Sequence, residues 1–121
     1  MFSGCTSLKS APELPATTLA SNCYRYMFYV CTSLTSAPEL PATKLADNCY
    51  YGMFLECESL TSAPELLATT FASDCYNIMF FGCTKITELH YPASIENDST
   101  FKNLSGSPIF GAYNAKVYYD L

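Results

Sequence analysis

The sequence predicts an α/β repeat solenoid, a stack of short parallel strands with short outer helices or 3-10 turns, closed by a C-terminal cap. Three observations carry that expectation. Met-Phe recurs at Met1-Phe2, Met27-Phe28, Met53-Phe54 and Met79-Phe80, a fixed period of 26. Residues 1–26 match residues 27–52 at 19 of 26 positions, and residues 53–78 match them at 16, so whole copies repeat rather than a short motif. The pattern then fails after Ser94. A period of this length belongs to stacked units that bury their apolar faces only against neighbours. The expected organisation is a repeat region over 1–94 (copies 1–26, 27–52 and 53–78, and a partial copy 79–94), followed by a cap over 95–121.

Each copy opens with a candidate strand. In SLTSAPEL of the second copy, Leu34, Ala37 and Leu40 are apolar, with Thr35, Ser36, Pro38 and Glu39 between them. Proline has no N–H to give to a ladder, so Pro12, Pro38 and Pro64 should mark a bulge or the strand end. The fourth copy aligns only if one residue is dropped between Leu89 and Tyr91, which makes Ala-Pro-Glu look like an insertion and leaves the fourth strand straight. Pro15 and Pro41, replaced by Leu67 in the third copy, then turn the chain away. Leu19, Cys23 and Met27 recur at intervals of four, as do Leu45, Cys49 and Met53, and Phe71, Cys75 and Met79. That spacing suits one or two turns of outer helix. Asn22, Asn48 and Asp74 precede Cys-Tyr and are suited to satisfying backbone groups locally. Tyr24, Tyr50 and Tyr76 form a ladder expected to be structural, with each hydroxyl reaching solvent.

Seven cysteines fall into two columns, Cys5, Cys31, Cys57 and Cys83, and Cys23, Cys49 and Cys75. Equivalent side chains in a stack point in parallel, whereas a disulfide needs its Cβ vectors turned together. Free, buried thiols acting as small apolar groups are the expectation; the alternative is a bridge between columns, such as Cys23 with Cys31. In the last segment Ala115, Val117, Tyr119 and Leu121 alternate with Lys116, Tyr118 and Asp120, which reads as a final strand.

The repeat F-x-x-C-x-x-[LI]-x-x-[AL], followed by [LY]-[PL]-[AS] and a second small-aromatic step, resembles the BspA-like leucine-rich repeats of bacterial and protist surface proteins. The resemblance covers Met1 to about Ser94. It implies a right-handed, leucine-rich-repeat-like stack in a cell-surface or secreted protein with an adhesive role. The unit here departs from the commoner one in the Ala-Pro-Glu insertion and the added Cys-Tyr.

Composition narrows the function classes. Six basic against 11 acidic residues give a net charge of -5, which offers no counter-charge to nucleic acid or an anionic membrane. No run of 18 apolar residues exists to insert into a bilayer. The N-terminus lacks the basic-then-apolar order of a signal peptide, and Met1 sits in register with Met27, so the chain reads as a piece of a longer one.

Catalysis needs groups that occur once, yet the Ser, Thr, Glu and Cys residues mostly recur as ladder positions. His90 is the sole histidine. It could partner Cys83 or Glu88; the plainer reading is an exposed strand residue in the place held by proline elsewhere. No enzyme, cofactor or metal is expected. Glu13, Glu39 and Glu65 should stack as a carboxylate ladder, where like charges at ~5 Å repel by about 1 kcal/mol per pair even in high dielectric. A cation, a basic partner or splaying into solvent would relieve it. The copies disagree around Met-Phe, at Arg25, Tyr26, Tyr29 and Val30, then Tyr51, Gly52, Leu55 and Glu56, then Asn77, Ile78, Phe81 and Gly82. Positions free to vary are expected at the surface, and their aromatics supply interface area at low entropic cost. Tyr26, Tyr29, Tyr51, Leu55 and Phe81 are therefore the first candidates for ligand contact, with Val30 and Gly52 beside them. Asn97-Asp-Ser99 and Asn103-Leu-Ser105 match the N-glycosylation pattern. A non-enzymatic binding module for a protein or cell-surface ligand is the expected function; the alternative is a subunit that stacks end to end into an extracellular filament.

Overall fold

The computed structural model describes residues 2–121; Met1 lies outside them. Equivalent residues of successive copies lie side by side. Single parallel bridges pair Ser10 with Ser36 and Ser36 with Ser62. Glu88 holds the same repeat position and begins strand β1 (Glu88–His90), which pairs in parallel with β2 (Lys116–Tyr118) in the register Glu88 to Lys116, Leu89 to Val117 and His90 to Tyr118.

Among the described residues, β1 is the only strand formed within the four copies, and its sequence is the one without the insertion. In the first three, Ala-Pro-Glu interrupts the run and Pro12, Pro38 or Pro64 withholds an N–H. Among the described residues, no backbone hydrogen bond joins Pro38–Ala42 to either neighbouring copy. The predicted strands are thus reduced there to single bridges.

No helix forms over Leu45, Cys49 and Met53; the four-residue spacing belongs to a run of consecutive turns. Alternate amides do different work. Cys49, Tyr51, Met53, Leu55 and Cys57 donate locally to Ala46, Asn48, Tyr50, Gly52 and Phe54 carbonyls at 3.0–3.2 Å. Between them, Asn48, Tyr50, Gly52, Phe54 and Glu56 donate to Ser73, Cys75, Asn77, Met79 and Phe81 of the next copy at 2.6–3.0 Å. Every fourth residue takes positive φ: Asn48 57°, Gly52 57° and Glu56 59° in this copy, Asn22, Tyr26 and Val30 in the preceding one, and Asp74, Ile78 and Gly82 in the following one. A left-handed residue once per turn prevents a right-handed helix from propagating. Asn and Asp tolerate that conformation, which is the local role filled by Asn22, Asn48 and Asp74.

The ribbon of turns sends side chains two in, two out. Cys49 and Tyr50 are buried, as are Met53, Phe54 and Cys57, whereas Tyr51, Leu55 and Glu56 lie at or near the surface. The inward positions stack. Phe2, Phe28, Phe54 and Phe80 form a column with ring centroids 5.6, 5.5 and 5.8 Å apart and planes within 9° of parallel. Tyr24, Tyr50 and Tyr76 form a second at 6.0 and 5.9 Å. Tyr50 and Tyr76 are only 2% and 1% exposed and Tyr24 is half-buried, so the rings of this ladder pack inside the stack; desolvation raises the Tyr50 and Tyr76 phenols above their usual range.

All seven cysteines are free, and Cys23 is exposed while Cys31 is buried. Cys31, Cys57 and Cys83 donate Sγ–H to the Phe2, Phe28 and Phe54 carbonyls of the preceding copy at 3.0 Å. Each of these carbonyls also accepts an amide from its own turn, for example Cys31 N–H to Phe28 at 3.1 Å. The thiol therefore supplies a second donor to a carbonyl bordering the core while fitting a small apolar space. Desolvation pushes Cys57 and Cys83 up to about 12, which keeps the proton this contact requires.

Past β1 the chain makes a 3-10 turn (Ala93–Ile95) and a short helix α1 (Ser99–Lys102), whose start is capped by Asp98 accepting from Phe101 N–H at 3.0 Å. Phe101 and Phe110 are buried. Phe80 N–H donates to the Phe110 carbonyl at 3.0 Å, the acceptor that Met53 and Met79 provide to Phe28 and Phe54 within the stack. Tyr91 hydroxyl donates to the Pro108 carbonyl at 2.6 Å. At Phe80 the irregular tail thus supplies the acceptor that the following copy supplies elsewhere in the stack. No helix among the described residues is long and apolar enough to cross a membrane.

Candidate functional site

Because the turn ribbon alternates inward and outward pairs, the positions that vary between copies fall in its outward pairs. Tyr29, Leu55 and Phe81 occupy one repeat position in three copies and form an apolar row along the stack. Tyr29 is 38% and Phe81 41% exposed, and Leu55 is half-buried. Tyr113 extends the row, 73% exposed with its ring edge-on to Phe81 at 6.0 Å. Nothing in the repeat register announces Tyr113, because it belongs to the tail; its aromatic character was the only signal.

Tyr26 and Tyr51 join the Tyr29 end of this row. Tyr26 lies 5.7 Å from Tyr29 and edge-on to Tyr51 at 5.5 Å, and the Arg25 guanidinium stands 5.2 Å from both the Tyr26 and Tyr51 rings. Both tyrosines are half-buried. Gly52 is buried beneath Tyr26: a Cβ there would lie 2.5 Å from Tyr26 Cε1. Gly52 is consequently the floor on which Tyr26 rests, not a contact for a ligand, and Val30 is half-buried beside the row.

A second surface arises from the Ala-Pro-Glu insertion. Two adjoining clefts open between copies, about 330 Å³ between the first and second and about 230 Å³ between the second and third, sharing Pro38, Glu39 and Pro41 as a common wall. Glu13, Glu39 and Glu65 line them. All three are exposed, and none has an ion-pair partner among the described residues.

His90 does not meet Cys83, whose thiol is committed to the Phe54 carbonyl. Its Nε2 lies 2.9 Å from Glu88 Oε1 and its Nδ1 2.8 Å from Asp120 Oδ1, with the ring stacked on Tyr118 at 5.0 Å. A neutral imidazole has one N–H, so only the protonated ring can donate to both carboxylates at once. The hydrogen bonds to Asp120 and Glu88 raise its pKa. Since the folded value lies above the unfolded one, this clamp contributes fully below pH ~6.5 and is lost as pH rises through the higher folded value. Urea unfolding should therefore show stability declining with pH through that interval, and His90→Gln should flatten the decline; an unchanged slope would exclude the clamp.

Asn97 and Asn103 are both exposed. No cluster of three His, Cys, Asp or Glu side chains among the described residues is arranged to hold a metal ion. No family model, curated protein or solved structure matches the chain. The likeness to BspA-like repeats is carried by the repeat pattern alone.

Proposed function

We propose that the chain is a non-enzymatic binding module of a cell-surface or secreted protein, in which a leucine-rich-repeat-like solenoid holds a rigid row of apolar side chains toward a protein or cell-surface ligand. The observation that carries this reading is the row Tyr29, Leu55, Phe81 and Tyr113. Three of the six large exposed hydrophobic side chains among the described residues, Tyr29, Phe81 and Tyr113, belong to it, whereas scattered single ones would need no explanation. Backbone hydrogen bonds between copies fix the spacing of the row, so little ordering of side-chain carriers accompanies binding. The resemblance of the repeat to BspA-like surface proteins supports an adhesive partner.

The test is adsorption of the fluorescently labelled chain to intact bacterial and epithelial cells, read by flow cytometry. The combined variant Tyr29→Ser, Phe81→Ser, Tyr113→Ser should bind about tenfold or more weakly with its melting temperature retained, as expected when central aromatic contacts are truncated. Equal adsorption of variant and parent, or no adsorption of the parent, would contradict the reading.

A further inference from the structure

The apolar row leaves the paired clefts at the insertion unused. Their walls are proline rings and aliphatic carbons, from Pro12, Pro15, Pro38, Pro41 and Pro64 with Leu67. The backbone of the segment between them is also unspent. Among the described residues, no backbone hydrogen bond involves Pro12–Ala16 or Pro38–Ala42. Three features thus coincide: two adjoining clefts across three copies, peptide groups without a backbone partner among the described residues, and carboxylates at the edge without a basic partner there. The fourth copy lacks the insertion and forms β1 in its place.

We propose that this cleft docks an extended, basic polypeptide segment lying along the stack. Spacing favours that occupant over a compact cation. Copies joined by parallel bridges repeat about every 4.8 Å, which puts Glu13 and Glu65 roughly 10 Å apart. Three residues of a polyproline-type chain make one full turn and advance about 9.3 Å, returning to the same face. A segment with Lys or Arg at every third position therefore presents a cation to Glu13 and to Glu65 while its intervening residues lie over the proline walls. Proline or another stiff residue between the basic positions lowers the ordering cost of binding. The carboxylates set the sign of the partner and speed its encounter; the prolines and free peptide groups make a lodging that a diffuse acidic surface lacks. The proposal rests on the reading of the chain as a binding module, but on different residues from the apolar row.

The probe is a fluorescent Lys-Pro-Pro-Lys-Pro-Pro-Lys peptide titrated with the intact chain and followed by anisotropy. Binding is expected, weakening about tenfold or more in the Glu13→Gln, Glu39→Gln, Glu65→Gln variant and steeply with added salt. A Glu-Pro-Pro-Glu-Pro-Pro-Glu peptide should not bind the parent chain, a control that needs no change to the protein. Glu56→Gln with Glu58→Gln, acidic positions outside the cleft, should leave binding intact, as should the Tyr29→Ser, Phe81→Ser, Tyr113→Ser variant. Retention of peptide binding in that last variant separates the cleft from the apolar row, so one can fail without the other. The proposal is overturned if the basic peptide does not bind, if the acidic one binds equally, or if neutralising Glu56 and Glu58 weakens binding as much as neutralising the cleft.

Discussion

Replacing Phe54 by alanine is expected to lower stability by about 3–5 kcal/mol, the range for removing a large buried aromatic side chain and leaving a cavity. Phe54 is 0% exposed and its ring is stacked on both sides, by Phe28 at 5.5 Å and Phe80 at 5.8 Å. Its amide donates to Met79 and its carbonyl accepts from both Cys57 N–H and Cys83 Sγ. The cavity thus opens where the backbone already holds three contacts to fixed neighbours and cannot collapse inward without breaking them. The same change at Phe2, half-buried and stacked on one side only, should cost distinctly less. Urea unfolding of both variants checks this. Equal losses at Phe2 and Phe54 would contradict an internal column.

Gly111→Ala is the second large effect. Gly111 has φ of 93°, and a Cβ there would stand 2.7 Å from both Cα and N of Phe81. Backbone atoms cannot swing aside as a side-chain tip can, so the segment carrying Phe110 must retreat. That retreat breaks the Phe80 N–H to Phe110 bond and opens the contacts of Phe110 with Tyr76 at 4.9 Å and Phe101 at 6.0 Å. A loss of about 2–4 kcal/mol is expected, combining backbone strain with disrupted core packing, together with fast hydrogen exchange at the Phe80 amide. Gly4→Ala is the matched comparison: φ is 75° but nothing lies within 4 Å of the added Cβ, leaving left-handed strain of about 1–2 kcal/mol. Normal stability and a protected Phe80 amide in Gly111→Ala would refute the tail's close seat on the last copy.

Much of this arrangement can be read from residue spacing, and the exceptions have physical causes. The period of 26 aligns Phe2, Phe28, Phe54 and Phe80, and the same count sorts the cysteines into their columns. The shortened fourth copy marks where a strand, not a bridge, forms. The outer segment misleads because Leu45, Cys49 and Met53 at intervals of four fit both a helix and a four-residue turn unit. What separates the two is positive φ, and residue type signals it only in part: Asn22, Asn48, Asp74, Gly4 and Gly82 are suited to it, whereas Tyr26, Val30, Glu56 and Ile78 hold it at 47–59° under the constraint of bonding to their neighbours. Gly52 illustrates the same limit, since its place is set by the Tyr26 ring above it. Tyr113 and the pairing of His90 with Asp120 depend on how the non-repeating tail folds back, and no internal copy exists to fix their register. The cleft at the insertion was visible only as a carboxylate ladder, because shape between copies is not a property of one repeat.

The central claim is that successive copies are joined by every second amide of a turn ribbon, each donating to a carbonyl 25 residues further on. Scalar couplings across hydrogen bonds in the isotope-labelled chain test it directly. The account predicts couplings from the amide nitrogens of Phe28, Tyr50 and Phe54 to the carbonyl carbons of Met53, Cys75 and Met79. Couplings from these amides to carbonyls four residues earlier, the signature of a helix, would contradict it.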